Sequence, residues 1–506
     1  MHRVSQVFGA LALIMALGGM GAPTIAQSGE APSGICAGGT VCGPSPSVSF
    51  PIFPTLTPIR WDAFPTYDLA RHYAPAQGGR AWYVAVDGDD HADGTAEAPL
   101  ASLGRAVERA TNGDVIWVRP GQYTLGGAGL YEGLILATDG LTLAATEIGQ
   151  VTLTPAHADT KLGIAARADN LTVDGFVVRG FADVGVEFGR AESPQRGLVL
   201  AHLRVEQTAE GVRAVYGGDG LQPLTDGMLI YDLWLREIGL IGLQCGQGPC
   251  DSLRWEAIRV EMPSPANETA NDAIALESGE NIVLFNVEVA GAPGDGIDLK
   301  TGTGVVANAL VHDVARNGIK IWHGGDVINA LVYNTDADAA LVFEAGRYRI
   351  LNTLVARHAW GLSAYAMTAA YDTADQGGSM EIVNSVFYEN SGAIWVAPTM
   401  ELRVSHSLLT RSTNGIELEW SDLSVGETAQ PLSALETRGA GEGNLPFGAE
   451  AAFFAPQAGD YRWGAESALL DAGTDAVPLP PFDLFGQPRV QGAAVDLGPI
   501  EGPTAR

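Results

Sequence analysis

Apolar and polar residues alternate in short bursts along most of this chain, and the bursts recur. One element reads glycine, apolar, any residue, apolar: Gly185-Val186-Glu187-Phe188, Gly211-Val212-Arg213-Ala214, Gly296-Ile297-Asp298-Leu299, Gly318-Ile319-Lys320-Ile321, Gly361-Leu362-Ser363-Ala364 and Gly415-Ile416-Glu417-Leu418. Ala273 and Ala340 hold the glycine place in two further copies. Between them runs a second element in which a polar residue interrupts apolar ones, with Asn286, Asn308, Asn329, Asn352, Asn384 and finally His406 at corresponding places. The interval is about 22 residues, a period that belongs to solenoids. Strands of this length, with no helix long enough for a crossover, predict coils stacked on one axis, each strand pairing with its copies above and below at ~4.8 Å. Alternation sends Ile297 and Leu299 inward and Asp298 and Lys300 outward. The recurring asparagines predict a ladder in the turns, their amides bonding one another and the backbone.

Ahead of the repeats the texture differs. Trp82-Tyr83-Val84-Ala85-Val86 reads as a strand, followed by a turn-rich stretch through Asp93-Gly94-Thr95 and then a short amphipathic helix with Leu100, Leu103, Ala106, Val107 and Ala110 on one face. A second strand, Val115-Ile116-Trp117-Val118, ends at Pro120-Gly121. A helix over the first strand would cover the open end of the solenoid, where unpaired backbone groups would otherwise recruit other chains. The expected architecture is therefore all-β: a parallel β-helix over 126–425, an N-terminal cap with a capping helix over 80–125, and an irregular C-terminal extension packing on it over 426–506. Residues 27–79, where Pro51, Pro54, Pro58 and Pro65 punctuate apolar residues, are expected to be extended chain.

Composition narrows the setting. The chain has 506 residues; 46% are hydrophobic, enough for a long core, while 17% are charged and 64 are glycine, which suits short strands and many turns. Asp and Glu outnumber Lys and Arg 59 to 29, so the net charge is -30 and nucleic acid is not an expected partner. Residues 1–26 place Arg3 ahead of the apolar run from Val7 to Met20 and end in small residues before a cleavage site after Ala26, the pattern of a secretory signal peptide. No later segment is long and apolar enough for a membrane span. A secreted protein, periplasmic or extracellular and monomeric, is expected. The four cysteines form two close pairs, Cys36 with Cys42 and Cys245 with Cys250, each able to close a local disulfide in an oxidising compartment; their spacing matches no zinc pattern.

Candidate chemistry lies on the outward face, where coils place side chains one above another. Aligning the repeats stacks Ala275, Asp298, Lys320 and Val342 in one column and Glu277, Lys300, Trp322 and Glu344 in the next. Asp272, Asp295 and Asn317 align at the strand entrance, and His323 follows Trp322. Lysine is scarce: Lys161, Lys300 and Lys320 stand against 26 arginines, and lysine, unlike arginine, can be brought to a neutral, proton-accepting state. Removing a proton next to a carboxylate, as β-elimination of a uronate requires, needs such a base and a cation such as Ca²⁺ to neutralise the carboxylate. On this reading Asp295, Asp298 and Asp272 are metal ligands, Lys320 the catalytic base, and Lys300, Trp322 and His323 bind substrate.

These features resemble the pectate-lyase-like right-handed parallel β-helix superfamily, over Trp82 to Gly502. The cap segment Gly113-Asp114-Val115-Ile116-Trp117-Val118-Arg119-Pro120-Gly121-Gln122-Tyr123 and the tail pieces Leu470-Asp471-Ala472-Gly473-Thr474, Asp483-Leu484-Phe485-Gly486-Gln487-Pro488-Arg489 and Val495-Asp496-Leu497-Gly498 carry the likeness. More narrowly, Gly294-Asp295-Gly296-Ile297-Asp298-Leu299 and Asn317-Gly318-Ile319-Lys320 are similar to the calcium and lysine segments of polysaccharide lyase family 9. The resemblance implies Asp295 and Asp298 as calcium ligands, Lys320 as the base and an acidic polysaccharide as substrate. Gly294 stands where that family has a further aspartate, and Asp272 matches the upstream ligand only loosely. Three other readings stay open: a C5-epimerase, a glycoside hydrolase, and a noncatalytic surface or carbohydrate-binding scaffold in which Asp298 with Lys320 and Glu277 with Lys300 are exposed cross-strand ion pairs. A salt-bridged Lys320 would favour the scaffold.

Overall fold

The computed structural model describes residues 71, 73–216, 223–246, 248–263, 271–301, 304–335, 339–344, 346–357, 360–364, 378–390, 392–396, 400–411, 423–425, 428–430, 441–446 and 448–502. The 1–26 leader, most of 27–79 and the Cys36–Cys42 pair lie outside them.

Strands short enough to be written in four to six residues cannot bury their apolar face alone, and here they do so by stacking. Almost all the pairing is parallel and coil on coil. Among the described residues one sheet holds 13 strands in the reverse of chain order, and a second, larger one holds 19. Registers follow the repeats: Ile274, Ile297, Ile319 and Leu341 pair in succession, as do Leu276, Leu299, Ile321 and Phe343. All are buried in one continuous core, so the chain is an all-β parallel solenoid as expected. The glycine that opens each strand reflects crowding. A β-carbon on Gly296 would sit 2.5 Å from Val311 and 2.6 Å from the Gly318 carbonyl oxygen.

The interrupting polar residues mark a corner. Gly175, His202, Asp232, Ala257, Asn286, Asn308, Asn329, Asn352, Asn384 and His406 all have left-handed backbone. Each lies between positions paired to the next coil, as Asn286 does between Phe285↔Ala307 and Val287↔Ala309. Asn tolerates this conformation better than other side chains because its short amide can bond locally. The expected ladder is present in part: Asn308 donates to Asn286, and Asn329 meets Asn308 at 2.8 Å. Asn384 instead exchanges two hydrogen bonds of 2.8 Å with the Thr474 backbone.

Both flanks of the solenoid are covered. The helix Leu103–Arg109 is capped by Ser102 and buries Leu103 and Ala106, and Leu100 and Ala110 join the same core. Buried Asp114 ties this end together, accepting from Trp82 Nε1 at 2.9 Å and from the Arg80 and Thr111 amides. Arg71 donates to Asp174 at 2.6 Å, fastening the preceding stretch to the corner where Asp174 also meets His202 at 2.7 Å. On the far flank an outward apolar column, Leu310, Leu331, Leu354, Val386 and Leu408, packs against Tyr461, Trp463, Leu469, Leu484 and Leu497. Short strands Gln195–Arg196, Thr225–Asp226 and Cys250–Asp251 form a third sheet in the longer coils, and Cys245 is bonded to Cys250 beside it. Among the described residues no helix is long and apolar enough to cross a membrane.

Replacing Asn308 by valine should lower stability by about 3 kcal/mol, because a β-branched residue is strained in left-handed backbone and Asn286 would lose its donor. Asn308→Gly should cost distinctly less. Urea unfolding of the two variants measures this, and equal losses would remove the backbone explanation.

Candidate active site

The strands Ile274–Leu276, Ile297–Leu299, Ile319–Ile321 and Leu341–Phe343 lie side by side, so their outward residues form the expected column, with Ala275 paired to Asp298, Asp298 to Lys320 and Lys320 to Val342. Outward does not mean exposed. Asp295 and Asp298 are buried, at 3% and 2%, because neighbouring coils and their long side chains close over them. Carboxylate oxygens of Asp272, Asp295 and Asp298 come within 4.8 Å of one another.

The cluster is held by its own backbone and by the next coil. Asp272 Oδ1 accepts from the Asp295 amide at 2.7 Å, and Asp295 Oδ1 accepts from the Asn317 amide and side chain at 3.0 and 2.8 Å. Lys320 Nζ donates to Asp298 Oδ2 at 3.0 Å and Asp295 Oδ2 at 3.2 Å. Lys300 Nζ is bound by Glu277 at 2.6 and 2.7 Å, with Asp298 3.5 Å away. Trp322 lies beside both ammonium groups, 5.1 Å from Lys320 and 5.6 Å from Lys300. The two ion pairs considered from the repeats thus exist, but that between Asp298 and Lys320 is buried instead of exposed.

Charge crowding sets the protonation. Burial, reinforced by Asp295, pushes the Asp272 carboxyl up to about 7. Burial also raises Asp298, against the pull of Lys320 and Lys300. For Lys320 burial acts downward, but Asp298 and Asp295 outweigh it and the ammonium is held above its ordinary value. A base with a lowered pKa is therefore not what these residues make by themselves. Burial lowers His323, which is exposed at the rim and meets Trp322 edge-on at 6.4 Å. It lies away from the aspartates, unlike the other residues singled out from the repeats.

The donor set fits a hard divalent cation: three carboxylates within one ion's reach, oxygen only. One buried oxygen, Asp298 Oδ1, has no hydrogen-bond partner among the described residues, a costly state for a carboxylate. The glycine at 294 turns out to be compensated in space. A β-carbon there would run into Asp272 Oδ1 and come within 2.8 Å of the Asn271 carbonyl, so the Asp272 carboxylate fills the volume that a side chain at 294 would need. Sequence alignment of the coils placed Asp272 in the set only loosely; the three-dimensional packing gives it a firm place. Asn317, aligned with Asp295 at the strand entrance, proves to orient it.

No protein-family model matches the chain. Over 42 residues it is 52% identical to pectate lyase PEL9 of Emericella nidulans, a stretch amounting to 8% of this chain and 10% of that protein. The chain thus spans about a tenth of that curated relative's length in the match. Among solved structures, the A-module of the Azotobacter vinelandii mannuronan C-5 epimerase AlgE6 aligns with a TM-score of 0.49 and 13% identity, covering 68% of this chain and 93% of that one. Pectate lyase Pel9A aligns with a TM-score of 0.45 and 13% identity, covering 84% and 96%. The coil-on-coil registers of this chain are those of a parallel β-helix.

Protons and a cation should compete for Asp272. Its carboxyl is neutral in the folded chain up to about 7 but ionised above 3.8 when unfolded, so its contribution to stability falls as pH rises between those values. Cation binding needs it ionised, so titration calorimetry should show affinity weakening by roughly 15-fold from pH 7 to 5.5. Asp298→Asn should abolish the cation-induced rise in melting temperature; an unchanged rise would move the ion elsewhere.

Proposed function

We propose that this chain is a secreted, calcium-dependent lyase that cleaves a uronate-containing polysaccharide by β-elimination. The observation that carries the reading is one lysine, Lys320, placed 3.0 and 3.2 Å from two of three clustered, buried aspartates on the outward face of a stacked sheet. That arrangement puts the base and the metal ligands one coil apart. Asp272, Asp295 and Asp298 would hold the calcium, which when bound neutralises the substrate carboxylate and stabilises the charge that develops beside it.

The chain's own groups supply the rest. Lys320 is raised mainly by Asp298 and Asp295, so when those carboxylates are engaged by a cation the cause of that rise is removed and burial, which favours the neutral amine, prevails. The amine then takes the C5 proton of the uronate. Electrons of that C–H bond form the C4=C5 double bond, and the glycosidic oxygen at C4 leaves. Trp322 offers a flat apolar face next to Lys320 for a sugar ring, Lys300 remains an ammonium fixed by Glu277 for a second substrate carboxylate, and exposed His323 lies at the rim for a neighbouring unit. The net charge of -30 is compatible with a polyanion only through such local cations.

A second reading has an observation of its own. Lys320 is salt-bridged to both aspartates, the state of an ionic clasp in a noncatalytic carbohydrate-binding scaffold. The two diverge in one assay. The mature protein is incubated with pectate, alginate and glycosaminoglycans, with calcium or chelator, and ultraviolet absorbance of the unsaturated uronate product is followed. The lyase reading expects a calcium-dependent rise that Lys320→Ala lowers by ~10²–10⁴-fold while circular dichroism stays unchanged. No rise with any polymer, from folded protein in calcium, would overturn the lyase reading.

A further inference from the structure

The column next to the base also contains an acid, Glu344, that the elimination scheme above does not use. Glu344 follows Phe343 directly, and since Phe343 points into the core beside Ile321, Glu344 returns to the outward face alongside Trp322. Relative to Lys320 it stands one coil further and two residues along, a Cα separation of about 8 Å on a strand lattice, within which two long side chains can converge. It is 8% exposed. The charges of Lys320, Lys300 and Asp298 act on it, and its own charge acts on Tyr348. Among the described residues its carboxyl is in no salt bridge, whereas every other acid of the cluster is bonded to a backbone amide or an ammonium.

Resting on the elimination reading, we propose that Glu344 is the proton donor to the leaving glycosidic oxygen. Lys320 alone completes half the reaction: it removes a proton at C5, but the C4–O bond breaks toward an alkoxide of a sugar, a poor leaving group unless protonated as it departs. In the balanced step the neutral amine takes the C5 proton, the C–H pair becomes the C4=C5 double bond, the C4–O pair goes to oxygen, and the Glu344 carboxyl gives that oxygen its proton. The enzyme is left with a Lys320 ammonium and a Glu344 carboxylate. Transfer of one proton between these neighbours restores the starting state, so the cycle needs no outside acid or base. Burial, reinforced by Asp298 and opposed by the two lysines, holds the Glu344 carboxyl up to about 7, a value suited to giving and regaining a proton near neutrality.

The test compares Glu344→Gln with the full-length wild-type protein in saturating calcium, on whichever uronate polymer the wild type cleaves and on a uronide bearing fluoride at C4. Fluoride departs without a proton. The expected result is kcat lower by ~100-fold on the polymer with KM within about twofold, near-wild-type turnover of the fluoride, and loss of the decline in kcat above about pH 7. Glutamine keeps the shape of the neutral acid, and fluoride turnover itself reports a folded site. Equal losses on both substrates, or less than about fivefold loss on the polymer, would overturn the assignment. Wild-type protein that yields no unsaturated product from either substrate would overturn the elimination reading and this assignment with it, a result separable from the first because it appears before any substitution is made.

Discussion

Much of the molecule depends on a backbone residue, recurring from Gly175 to His406, that bends the wrong way for an L-amino acid. A left-handed residue turns a long strand through a corner without breaking the pairing on either side, as the registers before and after Asn308 show. Because the corner recurs at the same place in the coils from Gly175 to His406, its two arms stay in register from coil to coil there, and so do the side chains they carry. A second left-handed column further along, with Gln207, Glu237, Asp313, Asn334, Arg357 and Glu389, repeats the device where the chain leaves the sheet. The first corner is filled by buried asparagines that bond one another; the second is solvent-facing and takes charged residues as readily. Backbone geometry, more than side-chain chemistry, is what both share.

That regularity is what lets a few substitutions on one face become a site. With inward positions committed to the core, successive coils can only vary what they present outward, and there Asp298 and Lys320 sit in direct register. The same two carboxylate groups that hold the lysine ammonium would, on the proposed reading, hold the divalent cation, and both are buried. Competition between a tethered cation and a soluble one is thus written into the arrangement of charge. Lys300 is different in kind: Glu277 holds it away from the exchange.

The solenoid, its strand faces and the outward columns were legible because glycine, alternation and a shared period all point one way from Ala273 to Ile321. The corner was legible only where asparagine fills it. In the earlier coils Gly175, His202, Asp232 and Ala257 do the same job, and the extra short strands at Gln195–Arg196, Thr225–Asp226 and Cys250–Asp251 lengthen the interval, so neither residue type nor spacing gives them away. Within the site, the outward positions of Asp298 and Lys320 follow from alternation. Asp272 does not, since its place depends on the empty volume at Gly294, a packing fact that no repeat encodes. Burial of an outward residue is equally hidden, because alternation gives direction and says nothing of what closes over it.

The outer apolar column from Leu310 to Leu408 is covered by residues between Tyr461 and Leu497, and Thr474 completes the hydrogen bonding of Asn384. A chain synthesised from its N-terminal side delivers the greasy stripe long before its cover. During that interval the stacked coils could be assembled yet sticky, and their neighbours in the crowd would be other half-made copies. The apolar column is therefore shielded late, by the segment from Tyr461 to Leu497, and losing that segment would leave a stacked rod with a greasy stripe bare.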